Sequence, residues 1–116
     1  MSTERVAGRL IELCKDGKFL QAQHELYAPD IISIDPDGSR TEGADKMNLK
    51  EEQFLAKLEK FHTINWSDPL VAGSYFTVKL KMEIELKKGG KRTLEEVCVY
   101  KVHDGKIVFE QFFRDL

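Results

Sequence analysis

Residues 75–114 decide the fold of this chain, and they read YFTVKLKMEIELKKGGKRTLEEVCVYKVHDGKIVFEQFFR. In residues 75–87 apolar side chains alternate with lysine and glutamate, which is the period-two pattern of a strand with one buried face. Gly89-Gly90 and Asp104-Gly105 are hairpin-turn signals that divide the stretch into three strands. The stretch therefore predicts an antiparallel meander.

Two further strands are predicted upstream of this meander. Residues 62–72 read as a strand that Asp68-Pro69 interrupts, since proline cannot donate to a strand ladder. Residues 31–35 read as a short strand that ends in the turn Asp35-Pro36-Asp37-Gly38. The second half of the chain thus predicts about four long antiparallel strands, and the first half contributes one.

Three helices are predicted from apolar residues at helical spacing. The first ends at Asp16-Gly17, the second is stopped by Pro29, and the third begins near Gly43 or Ala44. Their apolar positions are Val6, Leu10, Leu13, Cys14; Phe19, Leu20, Gln23, Leu26, Tyr27; and Met47, Phe54, Leu55, Leu58, Phe61. The third helix is expected to turn Lys50, Glu51, Glu52, Lys57, Glu59 and Lys60 to water. This order predicts one α+β domain over residues 1–116, with helices covering one face of a strongly bent sheet.

Counting residues outward from each predicted hairpin turn predicts which side chains share the helix-facing side of the sheet. Two-residue turns pair Met82 with Val97, Leu80 with Val99, Val99 with Glu110, and Val97 with Phe112. Glu110 is the unusual member, because an acid on an apolar face must be paired, protonated or solvated in a pocket. A bulge in either hairpin would exchange the two faces, so the choice between Glu96 and Glu110 stays open.

The opposite face predicts an interface. It is expected to carry Lys79, Lys81, Glu83, Glu96, Cys98, Tyr100, Phe109, Gln111 and Phe113. Exposed aromatic side chains in such a patch indicate a partner surface, and we expect a homodimer through this outer face. The alternative is that the N-terminal segment covers these rings.

Composition excludes several classes of function. The 18 basic and 20 acidic side chains give a net charge of -2, so no field of one sign is available for nucleic acid or a membrane surface. The two cysteines are 84 positions apart and no cluster has zinc spacing. No nucleotide-binding glycine motif is complete. We expect no cofactor and no metal, and a cytoplasmic location because no signal sequence is evident.

Three side chains are candidates for acid–base catalysis: Asp35, His62 and Glu110. Asp35 could act as a general base at the mouth of a pocket, or it could simply bond to the backbone of its turn. His62 could pair with Glu110 or Asp35, or it could serve as a helix C-terminal residue favoured by the dipole. The ligand-binding candidates are Trp66, Met82, Val97, Val99 and Phe112.

The order of elements and a few local motifs resemble the NTF2-like superfamily, a cone-shaped cystatin-like fold that includes ketosteroid isomerase and the SnoaL-like polyketide cyclases. The motifs are Leu26-Tyr27-Ala28-Pro29-Asp30, Asp35-Pro36-Asp37-Gly38-Ser39, Glu42-Gly43, and residues 99–108, VYKVHDGKIV. The last is the most typical of SnoaL-like domains. The resemblance implies three N-terminal helices packed on a strongly bent, mostly antiparallel sheet.

The resemblance implies only part of a known active site. The catalytic base of ketosteroid isomerase falls on Asp35, but its oxyanion-hole tyrosine falls at about Leu10 and its protonated aspartate near Val97 or Cys98. Neither donor is present, so steroid isomerisation is not expected. We expect a protein that binds a small apolar molecule between helices and sheet. The alternative is a lyase or isomerase that uses acid–base chemistry on a small apolar carbonyl compound.

Overall fold

The computed structural model describes all 116 residues, which form three helices and seven strands. In chain order they are α1 Thr3–Lys15, α2 Phe19–Leu26, β1 Tyr27–Ile34, β2 Arg40–Glu42, α3 Ala44–Lys57, β3 Leu58–Trp66, β4 Leu70–Ala72, β5 Tyr75–Leu86, β6 Gly90–His103 and β7 Lys106–Phe113. One bent sheet contains all seven strands in the order β2-β1-β7-β6-β5-β3, and β4 also pairs with β5. Only β1 and β7 are parallel. The predicted α+β cone is confirmed.

The helices cover the inner face of the sheet, where the core lies. On α1, Ser2 caps the first turn by accepting a hydrogen bond from the Arg5 N–H at 3.2 Å, and Gly17 follows the last turn with a φ of 74°. Five inner-face side chains of β5 are buried: Phe76, Val78, Leu80, Met82 and Ile84. They pack against the buried apolar stripe of α1, which is the arrangement that the alternation of β5 predicted.

Several element boundaries differ from the sequence predictions. The second helix ends at Leu26 and β1 begins at Tyr27, so Pro29 lies inside a strand instead of stopping a helix. The third helix ends at Lys57, and Leu58 and Phe61 belong to β3. These two residues pair with Leu86 and Ile84 of β5, and this strand pairing overrides their helical spacing. The predicted break at Asp68-Pro69 is confirmed, since it separates β3 from β4.

The register between β5 and β6 corrects the predicted pairs of Met82 with Val97 and Leu80 with Val99. Met82 pairs with Leu94 and Leu80 with Glu96. The cause is the turn: Leu86 pairs with Gly90, so the loop consists of residues 87–89. Gly89 supplies the left-handed conformation that this loop requires, with a φ of 105°. Side chains alternate between the two faces of a strand, so a shift by an odd number of positions exchanges the faces of β6. Glu96, Cys98 and Tyr100 therefore point inward, and Val97 and Val99 point outward.

A bulge between β6 and β7 shifts the register a second time. The turn at Asp104-Gly105 has two residues as predicted, and Val102 pairs with Ile107. Lys101 then pairs with Phe109, so Val108 is the extra residue of the bulge. Beyond the bulge Tyr100 pairs with Glu110 and Cys98 with Phe112. Glu110 and Phe112 therefore lie on the inner face, as predicted, although they pair with other residues than expected.

The outer face of the sheet exposes two large apolar side chains side by side. Val97 and Phe113 are direct partners across β6 and β7, and they are 45% and 50% exposed. The N-terminal segment therefore leaves half of Phe113 exposed. None of the three helices has the length and apolar character needed to cross a membrane.

Candidate functional site

The most unusual residue of the inner face is Glu110, a carboxyl with no exposed surface. The parallel pairing of β1 and β7 sets Ser33 directly beside it, and Ser33 Oγ donates a hydrogen bond to Glu110 Oε2 at 2.7 Å. The Tyr27 hydroxyl donates a second hydrogen bond to Glu110 Oε1. Two donors from β1 thus hold the carboxyl in one orientation.

The surroundings of Glu110 keep its proton available near neutral pH. Burial is the main cause that raises its pKa to about 7, because a charged carboxylate is poorly solvated there. The hydrogen bonds from Tyr27 and Ser33 lower the pKa, and the negative charges of Glu51 and Asp35 raise it. A carboxyl with such a pKa can give or take a proton at physiological pH, which is common at functional sites.

Glu110 lies on the wall of a cavity of about 270 Å³ between the helices and the inner face. Thirteen of the 21 lining residues are hydrophobic, so a bound molecule would contact mainly apolar surface. The complete lining is Leu10, Cys14, Phe19, Ala22, Gln23, Tyr27, Asp35, Pro36, Met47, Lys50, Glu51, Phe54, Trp66, Leu80, Met82, Leu94, Glu96, Tyr100, Glu110, Phe112 and Arg114.

Asp35 lies at the solvent-facing rim of this cavity. It follows the last residue of β1, its carbonyl accepts the Gly38 N–H at 2.8 Å, and its carboxylate accepts a 2.6 Å hydrogen bond from Lys50 Nζ. Both sequence interpretations therefore describe it: Asp35 belongs to a tight turn and also faces the cavity. Ser33 and Ile31, the residues two and four positions earlier, are buried on the same side, so Ile32 and Ile34 are the outward members of the strand.

His62 lies apart from this cavity. It sits within β3, where its Nε2 is 2.9 Å from Glu85 Oε1, and it is not among the residues that line the cavity. The pairing of His62 with Glu110 or Asp35 is absent, because those two carboxyls bond to Tyr27, Ser33, Lys50 and Ser39 instead.

The predicted ligand-binding residues divide into two groups. Trp66, Met82 and Phe112 line the cavity. Val97 and Val99 do not, because the loop of residues 87–89 turns them to the outer face. The inward positions on β6 belong to Leu94, Glu96 and Tyr100.

Glu51 is a cavity residue that the sequence analysis missed, since it was grouped with the water-facing charges of α3. It lies on one stripe with Met47 and Phe54, at spacings of four and three residues, and all three line the cavity. Burial raises the pKa of Glu51 to about 7, and the neighbouring Lys50 lowers it. The helical spacing from Met47 was the available signal.

Two buried polar atoms of the lining have no hydrogen-bond partner in the chain. They are Gln23 Oε1, on a side chain that is 8% exposed, and the indole Nε1 of Trp66. Buried polar atoms are nearly always hydrogen-bonded, so an unpaired acceptor and an unpaired donor at one cavity indicate a place for a polar group of a ligand.

No group of three or more histidine, cysteine, aspartate or glutamate side chains is arranged to hold a metal ion.

Solved structures share this architecture across nearly the whole chain. A candidate SnoaL-like polyketide cyclase from Mesorhizobium loti has a TM-score of 0.84 at 27% identity, with 98% of this chain and 100% of that chain covered. A cystatin-like-fold protein of unknown function from Xanthomonas campestris has a TM-score of 0.83 at 19% identity, with 97% and 90% covered. An NTF2-like protein of unknown function from Burkholderia pseudomallei has a TM-score of 0.81 at 19% identity, with 99% and 92% covered.

A family comparison agrees with the fold. No protein of curated function matches the chain. The model of the SnoaL-like domain matches residues 1–114. On this match and on the cone of three helices and a bent sheet, the chain belongs to the SnoaL-like domain family.

Proposed function

We propose that the protein binds a small, mostly apolar molecule in the cavity between its helices and the inner face of the sheet. The observation that carries this proposal is the fully buried Glu110 carboxyl on the wall of an apolar cavity. Burying a carboxyl costs stability unless its polar atoms are satisfied. A fold that needed only a core would be more stable with an apolar residue at this position.

The cavity is matched to a ligand of modest size. Its volume of about 270 Å³ is near the lower end of small-molecule sites. Apolar side chains from all three helices would surround the body of the ligand, while Glu110, Gln23 and Trp66 offer hydrogen bonds to a polar group. A saturated two-ring molecule with one polar group has the right character.

The single tryptophan of the chain makes a direct test possible. Trp66 lines the cavity, so its fluorescence should change saturably when trans-2-decalone, a saturated bicyclic ketone, is added. Ala22→Leu extends a side chain into the cavity and should weaken this binding about tenfold or more. Ala56→Leu, on the exposed side of α3, is the matched control and should bind as the parent does. Equal binding by all three proteins would place the ketone elsewhere and contradict the proposal.

Proton transfer on a carbonyl compound is a second candidate function. It is favoured by a specific observation: Asp35 and Glu110 line the same cavity, and the pKa of Glu110 is raised to about 7. A protonated Glu110 can transfer its proton to a carbonyl oxygen while the Asp35 carboxylate removes a proton from the adjacent carbon, which forms an enol and leaves Glu110 ionised and Asp35 protonated. Return of the proton to another carbon would complete an isomerisation.

Deuterium exchange tests this second candidate without knowledge of the natural substrate. In D₂O, an enzyme of this kind should accelerate deuterium incorporation at the carbons beside the carbonyl of trans-2-decalone, as measured by NMR. Asp35→Asn and Glu110→Gln should each remove the acceleration, and Asp37→Asn, in the exposed turn, should not. Exchange at the rate of buffer alone would leave binding as the function.

We also propose that the chain forms a homodimer through its outer face. The adjacent exposed side chains Val97 and Phe113 support this proposal, because paired apolar side chains on a sheet are a common interface core. Burying them against a second copy would remove the largest apolar exposure on β6 and β7.

A further inference from the structure

The charges that line the cavity do not balance. Four carboxyl side chains face it, and only two cationic side chains do. At the rim, Lys50 Nζ is 2.6 Å from Asp35 Oδ2, and Arg114 Nη1 is 3.2 Å from Glu96 Oε2. Both cations are thus ion-paired with Asp35 and Glu96, whereas neither Glu51 nor Glu110 forms an ion pair, and Lys50 acts on Glu51 only through its more distant charge.

Glu51 is the freer of these two carboxyls. Glu110 already accepts hydrogen bonds from Tyr27 and Ser33, whereas no side chain or backbone group donates to the carboxyl of Glu51. The two carboxyls are near enough for the charge of Glu51 to raise the pKa of Glu110. A positive charge placed between them would remove this repulsion.

An independent observation also calls for a hydrogen-bond donor in the cavity. The side chain of Gln23 is more than nine-tenths buried, lines the cavity, and leaves its Oε1 acceptor unpaired. An unpaired buried acceptor is costly, and a donor from a bound molecule would satisfy it. The aromatic rings of Tyr27, Phe54, Trp66 and Tyr100 line the same cavity, and ring faces attract cations.

We propose that the cavity selects an organic cation, a primary or secondary amine whose protonated nitrogen is held by Glu51, Glu110 and Gln23 and whose apolar body contacts the aromatic and aliphatic lining. This inference rests on the proposed binding function and specifies its ligand class. An ammonium group supplies the positive charge that Glu51 and Glu110 lack and the N–H donor that Gln23 lacks. A neutral ligand supplies no charge.

The test compares two probes of equal shape. The affinities of trans-2-aminodecalin and trans-2-decalol are measured at neutral pH by Trp66 fluorescence and by calorimetry. The amine should bind at least about tenfold more tightly than the alcohol. Glu51→Gln should lower the affinity for the amine much more than the affinity for the alcohol, and so remove most of that preference. Glu52→Gln, the exposed neighbour on α3, is the matched control and should keep the full preference.

The outcomes separate this inference from the function on which it rests. Equal affinity for amine and alcohol, or an unchanged preference in Glu51→Gln, would overturn the cation inference while binding itself stands. Failure of the amine, the alcohol and trans-2-decalone to bind would overturn the proposed function, and the inference with it. Thermal unfolding of each variant confirms that the substitutions leave the fold intact.

Discussion

Ser33 and Glu110 are direct neighbours across the parallel pair β1 and β7, and the Ser33 hydroxyl donates a 2.7 Å hydrogen bond to the buried carboxyl. These residues are 77 positions apart in the chain. The same strand pair brings the Tyr27 hydroxyl to the other carboxyl oxygen. The only parallel strand contact of the fold thus builds the polar centre of an otherwise apolar cavity.

The free energy of unfolding should fall as pH rises from the ordinary pKa of Glu110, which applies in the unfolded chain, to its higher pKa in the folded protein. Its pKa is raised from 4.5 to about 7 in the folded state. Between these values the unfolded chain has released a proton that the folded chain still holds, so rising pH favours unfolding. The full effect is about 3 kcal/mol by pH 8, relative to pH 4.

Urea unfolding from pH 4 to pH 8 measures this effect. Glu110→Gln keeps an acceptor for Tyr27 and Ser33 but cannot ionise, so its free energy of unfolding should exceed that of the parent increasingly as pH rises. Glu83→Gln, an exposed glutamate of β5, is the control and should follow the parent curve. Parallel curves for the parent and Glu110→Gln would show that Glu110 does not titrate in this range.

Removal of the Ser33 hydroxyl should raise the pKa of Glu110 further. Its hydrogen bond favours the charged form, and without it the carboxylate is less well stabilised. Ser33→Ala should also lower the free energy of unfolding by about 1–3 kcal/mol, as for other lost bonds to buried carboxyls. Carbon-13 NMR of the side-chain carboxyl and urea unfolding measure the two effects. Ser39→Ala, which removes an exposed 3.3 Å bond to Asp35, should change neither. An unaltered Glu110 titration in Ser33→Ala would contradict the role given to Ser33.

The proposed homodimer predicts that a charge at Phe113 separates the subunits. Sedimentation of the parent at micromolar concentration should show about twice the chain mass of 13.4 kDa. Phe113→Glu should sediment as a single chain, because two carboxylates would be buried close together in a symmetric contact. Leu49→Glu places the same charge on exposed α3 and should remain dimeric. A parent that sediments at 13.4 kDa would refute the proposal.

Two glycine substitutions should have opposite effects on stability. Gly89 has a φ of 105°, and a Cβ added there would lie 3.2 Å from Arg92 Nη2. Gly89→Ala should therefore destabilise the protein by about 1–2 kcal/mol. Gly8 lies in α1 with open space around it, and Gly8→Ala should stabilise the protein by about 1 kcal/mol. Thermal unfolding measures both, and a neutral Gly89→Ala would mean that the loop does not need a left-handed residue.

The alternating pattern of β5 sufficed to predict the sheet, but not its register. The pairs predicted from a turn at Gly89-Gly90 were wrong by three positions on β6, and the bulge at Val108 added a shift of one. Each odd shift exchanges the faces of the next strand, so β6 was assigned wrongly while the two errors cancelled on β7. Glu110 was therefore placed on the correct face by incorrect pairs.

Some cavity residues could be predicted from the neighbouring sequence, whereas others depend on contacts between distant segments. Glu110 was found because an acid interrupted an apolar strand face, and Glu51 could have been found from its spacing with Met47 and Phe54. Tyr27 and Ser33 could not be placed beside Glu110, because the parallel contact of β1 and β7 joins distant segments without a turn that sets their register. His62 bonds to Glu85, a contact that depends on the β3–β5 register.

A carbon-13 NMR titration of the Glu110 carboxyl, with and without trans-2-decalone, shows whether the polar group of a ligand contacts this carboxyl. We expect a midpoint of about 7 in the free protein. A bound ketone accepts a hydrogen bond only from the protonated form, so the midpoint should rise when the ketone is present. A midpoint near 4.5, or the same curve with and without the ketone, would contradict a role for Glu110 in binding.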